Sequence, residues 1–119
     1  MIMKKLLIFS ILAFSFVKVN AQQVRLLQAV KAHYGDNHPV LCVAPKHGSD
    51  HHDYIRRVVE SCGMPAVYYA GLPAEVHDND ADLGASWHPN YNGHRKIASV
   101  VAPFISSIMG WELPVWFNE

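Results

Sequence analysis

The sequence predicts an α/β fold with parallel strands, and an incomplete one. Two short apolar runs rich in β-branched and aromatic residues flank an amphipathic helix, and two more amphipathic helices stand before and after them. A strand, a helix and a strand within about thirty residues make a βαβ unit, which implies parallel strands and a right-handed crossover. Parallel sheets are normally covered by helices on both faces, so two strands with three helices leave partner strands wanting.

The elements follow in order. Lys4 and Lys5 precede an almost unbroken apolar run from Leu6 to Val17, and Val19-Asn20-Ala21 has the small-residue spacing that a signal peptidase accepts. Residues 1–21 therefore read as a signal peptide, cleaved after Ala21, of a secreted or periplasmic protein. The run is short of the roughly twenty residues that span a bilayer, and Lys18 interrupts it. Residues 22–119 are enough for one small domain with one core. From Gln23 to Tyr34, apolar residues Val24, Leu26, Leu27, Val30 and Tyr34 recur at helical spacing, and Gly35-Asp36-Asn37 stops the pattern. Pro39 to Ala44 reads as a buried strand closed by Pro45. Ser49 or Asp50 can cap a second helix whose apolar face is Tyr54, Ile55, Val58, Val59 and Cys62, ending at Gly63. Pro65 to Ala70 is the second strand. An acidic loop from Glu75 to Asp82 follows, and then a last helix from about Gly93 to Met109. Its residues Ile97, Val100, Val101, Phe104, Ile105 and Ile108 are expected to face the sheet, and Pro103 to bend it.

Charge excludes one class of partner. The chain is formally neutral, and removing Lys4, Lys5 and Lys18 with the leader leaves seven basic against ten acidic residues. No basic stripe exists to attract phosphates, so nucleic acid is not expected as a partner. His47, His51 and His52 lie close to Asp50 and Asp53, but their spacing is not that of a closed zinc motif. Neither a metal nor another cofactor is expected. Cys42 lies in a strand and Cys62 at the end of the helix packed on it. An oxidising compartment permits a bridge if their Cα atoms fall within about 7 Å; two separately buried thiols are the other arrangement.

The chemistry concentrates in Asp82 to His94, the run DLGASWHPNYNGH. His88 sits in a loop after the last strand, is followed by Pro89 and leads into the last helix. Such a loop lies at the carboxyl edge of an open α/β sheet, where sites form, and its histidine is suited to general-base work. The plain alternative is a histidine that buttresses the terminal helix.

This run, with VAPFISSIMGW after it, resembles the C-terminal block of the SGNH (GDSL-like) hydrolases, and most closely the acetyl esterases of carbohydrate esterase family two. There a W-H-P-N element, a G-H pair and an I-M-G-W helix end occur together, and the likeness spans nearly all of Gln23 to Trp111. It implies the C-terminal portion of a flavodoxin-like three-layer sandwich and a serine esterase acting on an acylated carbohydrate. It also implies that His88 is the general base and that Trp87 binds substrate. The family commonly places an aspartate two or three residues before the histidine, where this chain has Ser86 and Ala85. That leaves Asp82 or a backbone carbonyl to orient the imidazole. The Gly-Asp-Ser nucleophile block is absent: Gly35-Asp36-Asn37 ends in an amide, and Ser49 is better explained as a helix cap. The glycine and asparagine blocks of the oxyanion hole are missing too. The expectation is thus a chain inactive alone. Two other readings stand beside it: a carbohydrate-binding remnant using Trp87, Tyr91 and Trp111, and an assembly module that self-associates through an open sheet edge.

Overall fold

The structure, a computed structural model, describes residues 7–10, 19–44, 50–73, 76 and 80–118. Strand β1 (Leu7–Ser10), helix α1 (Val19–Tyr34), strand β2 (Val40–Ala44), helix α2 (Asp50–Ser61), strand β3 (Val67–Gly71) and helix α3 (Tyr91–Met109) follow one another in the chain. The three strands form one sheet in the order β1-β2-β3, and both pairings are parallel. Leu7 stands opposite Val40, and Val40 opposite Val67. The α/β class and the parallel βαβ unit expected from the sequence are therefore present.

The sheet has one strand more than the two read from the sequence, because the backbone of Leu7–Ser10 pairs with β2. An almost unbroken apolar run suits a leader and a strand of a parallel sheet alike, so the residues alone do not separate the two roles.

Alternation along β2 builds the core. Val40, Cys42 and Ala44 join Leu27 and Val30 of α1 and Ile55 and Val58 of α2 in one buried cluster. Both helices therefore lie on the same face of the sheet, as two crossovers of one hand between sequential strands in this order require. Leu41 and Ala70 alternate to the opposite face and are also fully buried. The middle strand is thus enclosed on both sides, as a strand in a parallel sheet must be.

Helix α1 turns a different stripe inward from the one expected. Leu26 and Tyr34 are exposed, whereas Gln23, Leu27, Val30 and Lys31 are buried. Lys31 is the reason. Its ammonium, 5% exposed as a residue, donates to the carbonyls of Asp36 at 2.8 Å, His38 at 2.6 Å and Ala66 at 3.5 Å. It thereby ties the end of α1 to the turn before β2 and to the start of β3. Burial pushes its pKa down, against the opposing pull of Asp36 and Cys62.

Helix α3 departs from expectation in its packing. It lies against a 3₁₀ turn at Asp80–Asp82, and its apolar positions Ile97, Val100, Val101, Ile105 and Ile108 are only partly buried, with Phe104 40% exposed. Pro103 lies inside the helix without ending it. It is on the exposed side, where water can satisfy the carbonyl that loses its partner. Gly110 closes the helix in the left-handed conformation that a Cβ would disfavour, with its N–H bonded to the Ser106 carbonyl at 2.8 Å. Cys42 and Cys62 are free thiols. Burial pushes the Cys42 thiol up to about 11, with Cys62 adding to the shift.

Candidate functional site

The loop that carries the histidine is closed by its own short-range contacts. Leu83 and Pro89 form an antiparallel bridge. Inside it the Gly84 N–H donates to the His88 carbonyl at 2.7 Å, and the His88 N–H donates to the Ala85 carbonyl at 3.2 Å. Ser86 and Trp87 both adopt positive φ, 55° and 63°. Neither is a glycine or an asparagine, and left-handed backbone at a bulky residue costs of the order of 1 kcal/mol or more. The bridge around them holds this conformation, and its effect is presentational: Trp87 is 79% exposed and His88 is exposed beside it.

Asn90 joins the loop to the helix. Its backbone N–H donates to the Asp82 carbonyl at 2.9 Å. The side-chain Oδ1 accepts from the Gly93 N–H at 3.1 Å, which caps α3, while Nδ2 donates to the Ala81 carbonyl at 2.7 Å and the Leu83 carbonyl at 3.3 Å. Gly93 is buried because the Asp80–Asp82 turn passes directly over it. A Cβ there would collide with the Asp82 carbonyl oxygen and lie 2.9 Å from Pro89 Cβ.

Asp82 is 2% exposed, and its carboxylate accepts from Lys96 Nζ at 2.5 Å. That ion pair binds the turn to the second turn of α3. The structure thus gives the carboxylate expected to orient His88 to Lys96, and no hydrogen bond to the His88 ring occurs among the described residues. The reason is positional, since Lys96 reaches down the helix face onto the buried carboxylate while the strained loop turns His88 outward.

Beside the pair, Asp82, Asn92, Arg95, Lys96 and Ser99 line an open cleft of about 380 Å³. Arg95 reaches over the Tyr91 ring, with its guanidinium carbon 6.0 Å from the centroid.

A second polar cluster, at the carboxyl ends of the strands, escaped the sequence reading as a unit. His52 in the first turn of α2 stands edge-on to Tyr69, whose hydroxyl lies 2.9 Å from Nδ1 and 3.1 Å from Nε2. Burial raises the Tyr69 pKa. A Cβ at Gly71 would strike the ends of both side chains, so a larger residue there would displace them. His47 and Ser49 lie outside the described residues, as does half of the acidic loop. Among the described residues no three metal-ligating side chains converge.

The parts brought together are therefore a strained, exposed Trp-His pair, an ion pair between a buried aspartate and an exposed lysine that fixes the loop's base to α3, and a basic cleft alongside. No family model matches the chain, nor does any curated protein or solved structure with which it was compared.

Proposed function

We propose that this chain is the histidine-bearing, C-terminal part of a secreted SGNH-type ester hydrolase domain that acts on acylated carbohydrate, and that it is inactive without the part carrying the nucleophile. The observation that supports this best is the Leu83–Asn90 loop, which follows the last parallel strand and presents His88 and Trp87 to solvent on strained backbone. Strain of that kind survives where surrounding contacts over-determine it, and such places are often sites. In this reading His88 takes the proton of a serine supplied by the missing segment, and Trp87 lines the acyl or sugar pocket. The flavodoxin-like three-layer sandwich is the completed architecture, with a further layer and strands added to the sheet.

Covalent ester hydrolysis needs a nucleophile about 2.6 to 3.2 Å from its base and preorganised donors for the oxyanion. The chain alone should therefore take up no fluorophosphonate label on serine. A chimera completed by the N-terminal half of an SGNH esterase should hydrolyse p-nitrophenyl acetate and lose at least about a thousandfold on His88→Ala. Labelling of Ser49 in the chain alone, or a chimera indifferent to His88→Ala, would overturn the proposal.

A second reading has its own support. Trp87 and Tyr91, at 79% and 76% exposed, are large aromatic surfaces facing water, as in a module that stacks sugar rings without hydrolysing them. Sugar binding by the chain together with an inactive chimera would favour it. Self-association through the sheet edge belongs to either reading, and light scattering on the chain tests it.

A further inference from the structure

We propose that the cleft on α3 is a subsite for an acidic sugar, so that the carbohydrate this chain meets bears carboxylates. The inference rests on the carbohydrate reading of the adjoining loop and not on catalysis.

The cleft's residues lie on one helical stripe, Asn92, Arg95, Lys96 and Ser99, three or four apart, with Asp82 forming the floor. Their charges do not cancel. Lys96 is spent on Asp82, whereas Arg95 has no carboxylate partner among the described residues and is exposed. Asp80, on the same turn as Asp82, is exposed and does not line the cleft. Helix α3 contains no acidic residue, and a cation near the start of a helix gains nothing from the helix dipole. The contrast with Arg56 is instructive, since Arg56 is tied to both Asp53 and Glu60 on its own helix. Residues 22–119 carry more acidic than basic side chains, yet among the described residues none of those carboxylates pairs with the guanidinium that stands in this cleft.

The neighbouring groups define the ligand. A guanidinium offers a planar fork that matches a carboxylate with two parallel hydrogen bonds. Tyr91 does not line the cleft, but it stands beside Arg95 and is 76% exposed, an aromatic surface next to the guanidinium for a pyranose ring. Asn92 and Ser99 supply a side-chain amide and a hydroxyl at either end of the stripe for ring hydroxyls. A carboxylate, a ring and hydroxyls together describe a uronic acid residue within a polysaccharide.

The test is calorimetric titration of the full chain with a galacturonate oligomer, a neutral xylose oligomer and inorganic phosphate. The acidic oligomer should bind, weaken with added salt, and weaken by about tenfold or more on Arg95→Ala and on Tyr91→Ala. Arg57→Ala, an exposed arginine on α2, should leave binding unchanged. Equal binding of the neutral oligomer, binding of phosphate as tight as that of the acidic oligomer, equal loss in Arg57→Ala, or no binding at all would each overturn the proposal. The hydrolase reading is judged separately. A chain that binds the acidic oligomer while the completed chimera is inactive removes the esterase and keeps the subsite, and an active chimera with no acidic preference does the reverse.

Discussion

The two ends of this chain are held together by different physics. From α1 to β3 the structure rests on apolar burial between residues far apart in sequence, with Leu27, Val40, Cys42, Ile55 and Val58 in one cluster. From Asp80 to Gly110 it rests on polar contacts between residues close in sequence, centred on Asn90, Asp82 and Lys96. The first kind of order is cooperative and needs the whole layer; the second is local and survives with little support. The histidine loop is thus independent of the sheet for its shape, though not for its place.

The largest effect should come from the layer. Ile55→Ala removes a fully buried side chain and should cost about 2 to 5 kcal/mol, read as a lowered urea midpoint. If the two ends are independent, hydrogen-exchange protection of the Gly84 and Asn90 amides should outlast the loss of protection in β2. Simultaneous loss would break the comparison.

Alkali should attack the same region. The Cys42 thiol titrates near 9 in the unfolded chain and about 11 in the folded one. Its contribution is fully present below pH 9 and is lost as the pH rises through 11, an effect of about 2 to 3 kcal/mol. Tyr54 and Tyr69, also raised by burial, act in the same direction, and Lys31, lowered by burial, acts against them. Cys42→Ala should flatten the decline in stability between pH 9 and 11 relative to the parent chain. An unchanged slope would mean that the thiol is not enclosed.

Gly93→Ala is the matching lesion at the other end. The added Cβ meets backbone, which yields less readily than a flexible side chain, so the turn and helix must separate at a cost of about 1 to 3 kcal/mol. The expected result is loss of amide protection from Gly84 to Asn90 with the urea midpoint of the sheet unmoved. Asn90→Ala should do the same more weakly, by about 1 kcal/mol, since it removes the helix cap and leaves the Ala81 and Leu83 carbonyls to water.

Much of the first region was legible in the sequence because periodicity and β-branching report burial directly. The strands at Val40–Ala44 and Val67–Gly71 and the helix at Asp50–Ser61 fall within a few residues of where those patterns put them. Lys31 was not legible, for a lysine on an apolar stripe is ordinarily read as its edge, and only the three carbonyls around it reveal that it belongs inside. The one available signal was its place four residues after Leu27. In the second region the sequence marked the loop through His88, Pro89 and Gly93. It did not mark the left-handed backbone at Ser86 and Trp87, because no glycine or asparagine advertises it. Nor did it pair Asp82 with Lys96, fourteen residues on and across a turn.

The closure of that loop has a consequence for how such a chain can be cut and joined. Among the described residues, the hydrogen bonds and the ion pair that join loop and helix begin and end within residues 80–96, from the Asp80 carbonyl and the Asn90 amide on Ala81 to the Lys96 ammonium on Asp82. The segment is therefore a cartridge. It can be transplanted whole onto another parallel sheet with its tryptophan and histidine already aimed, and substitutions upstream of Asp80 can move that aim only by moving the cartridge as a rigid piece.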